Sequence, residues 1–272
     1  MISLVTATYN SDRYIKEYKK RLLIFASELE QNQVKFEVLI RCTNPSPVEK
    51  AVFDELSKYS WCNIAEVSRR GAYAAWNEGV ISATGDVVGF WNADDIRFPK
   101  AVVEAEQLVM SGADVVYFPF IIKRYFNILG FSIKVYTKRV QGPDLDFDVK
   151  KFSRGMVCGP HFMFKRSLFH EIGPFDEQFK FASDFDWCVR AVEYTQKFVQ
   201  GKELSGIFRV DGTGLSSGNK PWRAAENNTI MIRHGQNDLV VETTPEEQAK
   251  YHQDQFLFRG QWYDLAKLNS VV

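Results

Sequence analysis

The feature that most limits what this chain can become is an alternation. Short apolar, β-prone runs at residues 2–7, 36–40, 62–67, 87–91 and 115–118 are separated by helical patterns. Those patterns cover residues 12–30 and 48–59, the stretch between Gly71 and Gly85, and Pro99 to about Met110. In the first of them Ile15, Tyr18, Leu22, Leu23, Ala26 and Leu29 recur at the three-to-four-residue spacing of one helix face. Strands that alternate with helices predict an α/β fold with a mostly parallel sheet flanked by helices. The run Val87-Val88-Gly89-Phe90-Trp91 is almost continuously apolar, as a strand covered on both faces must be. In open sheets of this class, ligands sit beyond the carboxyl ends of the strands. The polar residues that follow strands are therefore the candidates for a site: Thr8-Tyr9-Asn10, Arg41-Cys42-Thr43 and Asn92-Ala93-Asp94-Asp95.

The rhythm stops at about residue 120. Residues 121–140 mix aromatic side chains with Lys123, Arg124, Lys134, Lys138 and Arg139. An antiparallel hairpin with a solvated basic face is expected there; the sharper alternative is a flap on the acceptor side of a cleft. A strand at 161–164, a short helix at 166–172, a helix from Ser183 to about Gln196 and a Gly/Ser-rich loop at 212–222 follow. Two polar helices are expected to close the chain. The organisation predicted is one α/β domain over 1–222, with a nucleotide-binding half at 1–118 and an acceptor-side half at 119–222. A helical C-terminal extension covers 223–272.

Composition narrows the partners. Lys plus Arg and Asp plus Glu are equal at 34 each in 272 residues, so no overall field draws the protein to nucleic acid, and none is expected as a partner. The four cysteines form no C-x-x-C pair and read as free thiols of a reducing compartment. Met1 leads straight into a strand-like run, and no apolar run approaches the ~20 residues a membrane-spanning helix needs. A soluble cytoplasmic protein is expected, with peripheral contact at the inner face of a membrane left open.

Asn92-Ala93-Asp94-Asp95 carries the strongest chemical signal. Two adjacent carboxylates at the end of a buried strand repel each other and lose hydration, and a hard divalent cation with oxygen ligands removes that cost. Mg²⁺ or Mn²⁺ is suited, because either binds through one or two carboxylates plus substrate phosphates. The alternative is a helix-capping aspartate ahead of Arg97 and Pro99.

Three blocks together resemble family 2 glycosyltransferases of the GT-A fold. The first is Ile2 to Asn10. The second runs from Arg70-Gly71-Ala72-Tyr73-Ala74-Ala75-Trp76-Asn77-Glu78-Gly79 to Asn92-Ala93-Asp94-Asp95. The third runs from Gly159-Pro160-His161 through Gly173-Pro174-Phe175-Asp176-Glu177 to Ser183-Asp184-Phe185-Asp186-Trp187. The resemblance implies a Rossmann-like GT-A domain and a nucleotide-diphosphate sugar donor, by family default a UDP-sugar. It also implies a saccharide or lipid-linked saccharide acceptor and inversion at the transferred sugar. Thr8, Tyr9 and Asn10 would lie against base and ribose; Arg70, Gly71 and Asn77 would lie near ribose and diphosphate. In the family's D-x-D motif Asn92 takes the first place and Asp94 the second. Asp94 would then hold the metal, with Asn92, Ala93 and Asp95 on the sugar nucleotide and Asp95 orienting the site or touching the sugar. Asp184 matches the catalytic base, which takes a proton from the acceptor hydroxyl. Asp186, three residues after Ser183, has the spacing of a capping box and is assigned to that structural task.

The sequence also departs from the pattern. The acidic pair that usually ends the second strand reads Arg41-Cys42-Thr43-Asn44 here, and Ala74 stands where an acid is common. A histidine that often follows Arg-Val is replaced in Arg209-Val210-Asp211. Asp211 is the candidate replacement metal ligand, and His161 is a second group that could approach the cleft. A dinucleotide-binding oxidoreductase and a sugar nucleotidylyltransferase both need a glycine-rich first loop, and residues 6–15 contain no glycine. A catalytically degenerate binder or scaffold of the same fold stays open as the alternative.

Overall fold

The computed structural model describes residues 1–69, 71–128, 131–141, 148–212, 214–215 and 220–272. In chain order the elements are β1 (Ile2–Thr8), α1 (Asp12–Gln31), β2 (Phe36–Cys42), α2 (Pro47–Leu56), β3 (Cys62–Glu66), α3 (Ala72–Ser82), β4 (Val87–Phe90) and β5 (Ile96–Arg97). Next come α4 (Pro99–Met110), β6 (Val115–Tyr117), β7 (Phe120–Ile128), β8 (Phe131–Val140), α5 (Val149–Phe152), β9 (Met163–Lys165), α6 (Arg166–Ile172) and α7 (Ser183–Tyr194). The remainder is β10 (Phe198–Gln200), β11 (Gly206–Val210), α8 (Pro221–Arg233), α9 (Pro245–Gln248), β12 (Gln255–Phe258) and β13 (Gln261–Asp264).

The main sheet has the order β10-β6-β9-β4-β1-β2-β3. All its pairs are parallel except those of β9, which runs antiparallel to both β4 and β6. Strand alternation divides the core between two faces. Ile2, Leu4, Val38, Ile40 and Val87 pack under α1, α2 and α4. Val5, Leu39, Val88, Phe90 and Phe164 pack against α3, α6, α7 and α8. On that second face Trp76 stacks on Phe90 with ring centroids 3.8 Å apart. Burying rings of this size contributes roughly 2–3 kcal/mol each. α3 lies so close to β1 that a Cβ on Gly79 would meet Val5 Cγ1 at 2.3 Å. Only glycine lets that helix sit on the sheet.

A second sheet, β5-β11-β7-β8, stands at the carboxyl edge. β7 and β8 form the antiparallel hairpin expected from residues 121–140, but β11 joins β7 in parallel, so this sheet is mixed. Phe126, Ile133, Val135 and Tyr136 on the hairpin are all at least half exposed. The C-terminal region differs from the two polar helices expected. α8 is amphipathic, and its Ala225, Ile230 and Met231 belong to the main core. The second helix is the single turn α9, and the chain then forms the β12–β13 hairpin, closed by Phe256, Phe258 and Leu268. Alternate apolar residues in Gln255-Phe256-Leu257-Phe258 have the period of a strand, which the polar composition around them obscures.

Candidate active site

The β1–α1 turn is held from below. Ser46 and Glu49 form a capping box at the start of α2, and Glu49 also accepts the Ser11 N–H at 2.9 Å. Above it Thr8 is buried with no hydrogen bond to its Oγ1, Tyr9 is exposed, and Asn10 turns the chain with φ 51°. At the end of β2, Arg41 faces inward. Its guanidinium donates to Asn63 Oδ1 at 2.9 Å and Ser82 Oγ at 2.8 Å, tying β2 to β3 and α3. That strand end therefore offers a structural cation where a ligand-facing group was expected.

β4 runs into the acidic turn. Asp95 N–H donates to the Asn92 carbonyl at 3.0 Å, and the Trp91 indole donates to the Asp95 carbonyl at 3.2 Å. Asp95 is buried and accepts the Arg209 backbone N–H at 2.9 Å and the Asn92 amide at 3.5 Å. His161 Nε2 stands 3.6 Å from Asp95 Oδ2, and its Nδ1 lies 3.1 Å from Ser205 Oγ. His161 thus lies behind the acidic turn as a core histidine, and burial pushes its pKa well down. Of the two roles considered for Asp95, this geometry favours orienting the turn over touching a sugar.

Asp94 is half-buried. Burial first, then the charges of Asp95 and Asp211, push its pKa up to about 7, with Arg209 opposing. Asp95 is likewise raised to about 7, by burial. Asp211 accepts from the Tyr14 hydroxyl and lies 3.5 Å from Arg13 and 3.2 Å from Arg209. It links the end of β11 to the start of α1 beside Asp94. Among the described residues no three His, Cys, Asp or Glu side chains are grouped as a metal cage. Asp94 and Asp211, the latter held by Tyr14, Arg13 and Arg209, are the carboxylates that stand near each other at this turn.

The third part of the site lies between α3 and α7. Gly71 precedes α3 with φ 121°, and among the described residues nothing lies within 4 Å of where its Cβ would stand. The start of α3 has no side-chain cap among the described residues. Arg70 falls outside the described residues. Its neighbour Arg69 is clamped between Glu78 and Glu177. Asn77 is fully buried; its amide donates to the Phe175 carbonyl at 2.8 Å and accepts the Phe175 N–H at 2.8 Å. The ligand contact expected of Asn77 is replaced by a clamp between α3 and the loop before α7, because both ends of its amide already have partners.

Asp184 sits in the first turn of α7 and is partly accessible. Its Oδ1 accepts the Tyr73 hydroxyl at 3.1 Å and the Phe185 N–H at 2.9 Å. Burial lifts its pKa to about 6, and those hydrogen bonds hold it back. The capping box expected of Ser183 and Asp186 does not form. The residue before the helix is Ala182, Ser183 Oγ has no partner, and Asp186 instead pairs with Arg190 and Arg233, each at 3.0 Å.

Two site residues escaped the sequence reading. Tyr73 lies inside a recognised block but reads as one more apolar-face aromatic, and nothing in its spacing points to residue 184. Arg209 reads in the sequence only as the neighbour of Asp211, whereas its backbone holds Asp95 and its guanidinium faces Asp211.

Known proteins resemble this chain in sequence and in fold. Two uncharacterized glycosyltransferases from strains of Mycobacterium tuberculosis are each 32% identical over 126 residues, 44% of this chain and 44% of theirs. The match therefore spans less than half the length of these curated relatives. S. aureus TarS 1-349 in complex with UDP-GlcNAc superposes with a TM-score of 0.61 at 16% identity, covering 92% of this chain and 69% of that one. The mannosyltransferase PcManGT from Pyrobaculum calidifontis, in complex with GDP-Man and Mn2+, gives 0.57 at 14% identity, covering 90% and 66%. These two likenesses carry the GT-A fold. No helix among the described residues is long and apolar enough to cross a membrane. Residues 3–173, more than half of the sequence, match the family described as Glycosyl transferase family 2, and the chain belongs to that family.

Proposed function

We propose that the chain transfers a glycosyl group from a nucleotide-diphosphate sugar to an acceptor hydroxyl, with inversion. The observation that carries this reading is the Tyr73–Asp184 hydrogen bond. It brings the third sequence block to the first turn of α3, whose uncapped N-terminus suits a diphosphate. A carboxyl with a pKa of about 6 is ionised at neutral pH yet close enough to it to accept a proton. Asp184 takes the proton of the acceptor hydroxyl as that oxygen bonds to the anomeric carbon. On the opposite side the bond from that carbon to the diphosphate oxygen breaks, and its electron pair leaves with the nucleoside diphosphate. Asp94, with Asp211 beside it, would hold Mn²⁺ or Mg²⁺, which when bound offsets the charge arising on the leaving group. The structural relatives with UDP-GlcNAc, or with GDP-Man and Mn2+, support a sugar nucleotide and a cation.

Thr8, Tyr9 and Asn10 would receive the nucleoside. With Arg41 turned inward, base recognition falls to that turn and to the loop before α3. The acceptor is a saccharide or lipid-linked saccharide, and the hairpin of β7 and β8 borders its path, anchored by β11 and by Arg209 over the Tyr125 ring at 4.0 Å. Its exposed apolar and basic residues also suit peripheral contact with a membrane surface.

The test is release of nucleoside diphosphate from a panel of sugar nucleotides with Mn²⁺. The wild type should release it, and Asp184→Asn should lower transfer about 10²–10⁴-fold while donor binding persists. The acid limb of kcat should fall near pH 6, because only ionised Asp184 accepts the proton. Binding without turnover across the panel would instead establish the degenerate binder.

A further inference from the structure

Glu226 lies on α8, far beyond Asp184 in sequence, yet it is 0% exposed. Three consecutive backbone N–H groups turn toward its carboxylate. Lys180 donates to Oε1 at 2.8 Å, and Phe181 and Ala182 donate to Oε2 at 3.0 and 3.1 Å. The Tyr251 hydroxyl donates to Oε1 at 3.1 Å, and the Tyr251 ring lies 5.9 Å from that of Phe179. Successive N–H groups aimed at one point form a concave seat for an anion, and here a carboxylate of the same chain fills it. The seat ends at Ala182, the residue before α7, and Asp184 is the second residue of that helix. α7 has no side-chain cap at Ala182, and the Glu226 carboxylate from α8 adds to the negative charge that Asp184 and Asp186 already place in its first turn.

We propose that Glu226 is a positioning residue for glycosyl transfer: it fixes the start of α7 and thereby the direction in which Asp184 presents its carboxylate. The inference rests on the reading of Asp184 as the base. It also makes α8 part of the catalytic unit, although the family match ends at residue 173. Charge adds to geometry. The titratable groups facing Asp184 are Tyr73 from α3, Cys188 from α7 and Glu226 from α8, and the Glu226 charge holds the Asp184 pKa up.

Two variants separate reach from charge. Glu226→Gln removes the charge and sets an amide NH₂ against donors. It should lower kcat roughly ten- to a hundredfold at unchanged donor KM, as a displaced catalytic group does. It should also speed amide exchange at residues 180–182 and move the acid limb of kcat to lower pH. Glu226→Asp keeps the charge but is too short to reach all three amides. It should speed the same exchange and lower kcat while leaving the acid limb in place, and it carries the test if Glu226→Gln does not fold. A loss of thermal stability with kcat and acid limb unchanged would make Glu226 a structural residue only and overturn the inference. Wild-type exchange in both variants would overturn it equally. If Asp184→Asn retains transfer, the base reading itself fails; if Asp184→Asn is inactive while both Glu226 variants behave as wild type, only the inference fails.

Discussion

Two clusters of carboxylates differ in how their charge is met. At the end of β4, Asp94 and Asp95 are both raised to about 7, with Asp211 adding to the charge at Asp94 and Arg209 only partly opposing it. Between α7 and α8, Asp186 is just as buried but is held far below the usual carboxylate range by Arg190 and Arg233, with His234 adding to them. Arg233 also reaches Asp176 at 2.9 Å. In the first cluster Arg13 and Arg209 pair with Asp211 while Asp94 and Asp95 stay raised; in the second, two arginines pair directly with Asp186. Raised carboxylates of this kind suit the cation proposed for Asp94, whereas directly paired charges tie helices together.

That contrast can be broken by mutation, most sharply at its acidic end. Asp94→Ala should cut transfer by about 10³-fold if Asp94 supports charge on the leaving group. The melting temperature without cation should hold or rise, because a repelling carboxylate has been removed; a stability loss would place Asp94 in the structural class. In the compensated cluster Arg233→Met should cost about 3–5 kcal/mol in denaturant unfolding, because Asp176 and Asp186 would be left buried without their shared cation. A cost below about 1 kcal/mol, the range of exposed pairs, would refute the distinction.

The smallest effect is a pH dependence. Ion pairs with Asp186 and Glu193 raise His234 to about 9, above its ordinary value near 6.5. A raised histidine contributes stability that is complete below its unfolded pKa and disappears as pH rises through its folded one. Stability should therefore fall between about pH 6.5 and 9, by an amount of the order of 3 kcal/mol at most. In His234→Gln that slope should flatten, which unfolding free energies across this window would reveal.

Much of the architecture was legible because it rests on periodicity. The stripe Ile15, Tyr18, Leu22 and Leu29 can be buried only as one helix face, and the apolar run ending at Trp91 only as a central strand. The place of Asn92-Ala93-Asp94-Asp95 followed from that strand, since a parallel sheet presents the carboxyl ends of its strands together. Side-chain direction was less legible. Arg41 and Asn77 are polar residues beside a cleft in sequence, and both turn away from it, because a buried donor or acceptor takes whatever partner the fold brings near. The capping spacing of Ser183 and Asp186 was real but lost to Arg233, a partner from another helix.

The sequence alone determined the alternation of strands and helices up to Tyr117 and placed Asp94 and Asp95 at the carboxyl end of a buried strand. These are consequences of local period and of residue type. Only the tertiary structure decided which acids stay uncompensated, that Tyr73 holds Asp184, and that Glu226 anchors the helix carrying it. Each of these depends on groups distant along the chain that packing brings within about 3 Å, and hydrogen bonds and buried charges are decided at that range.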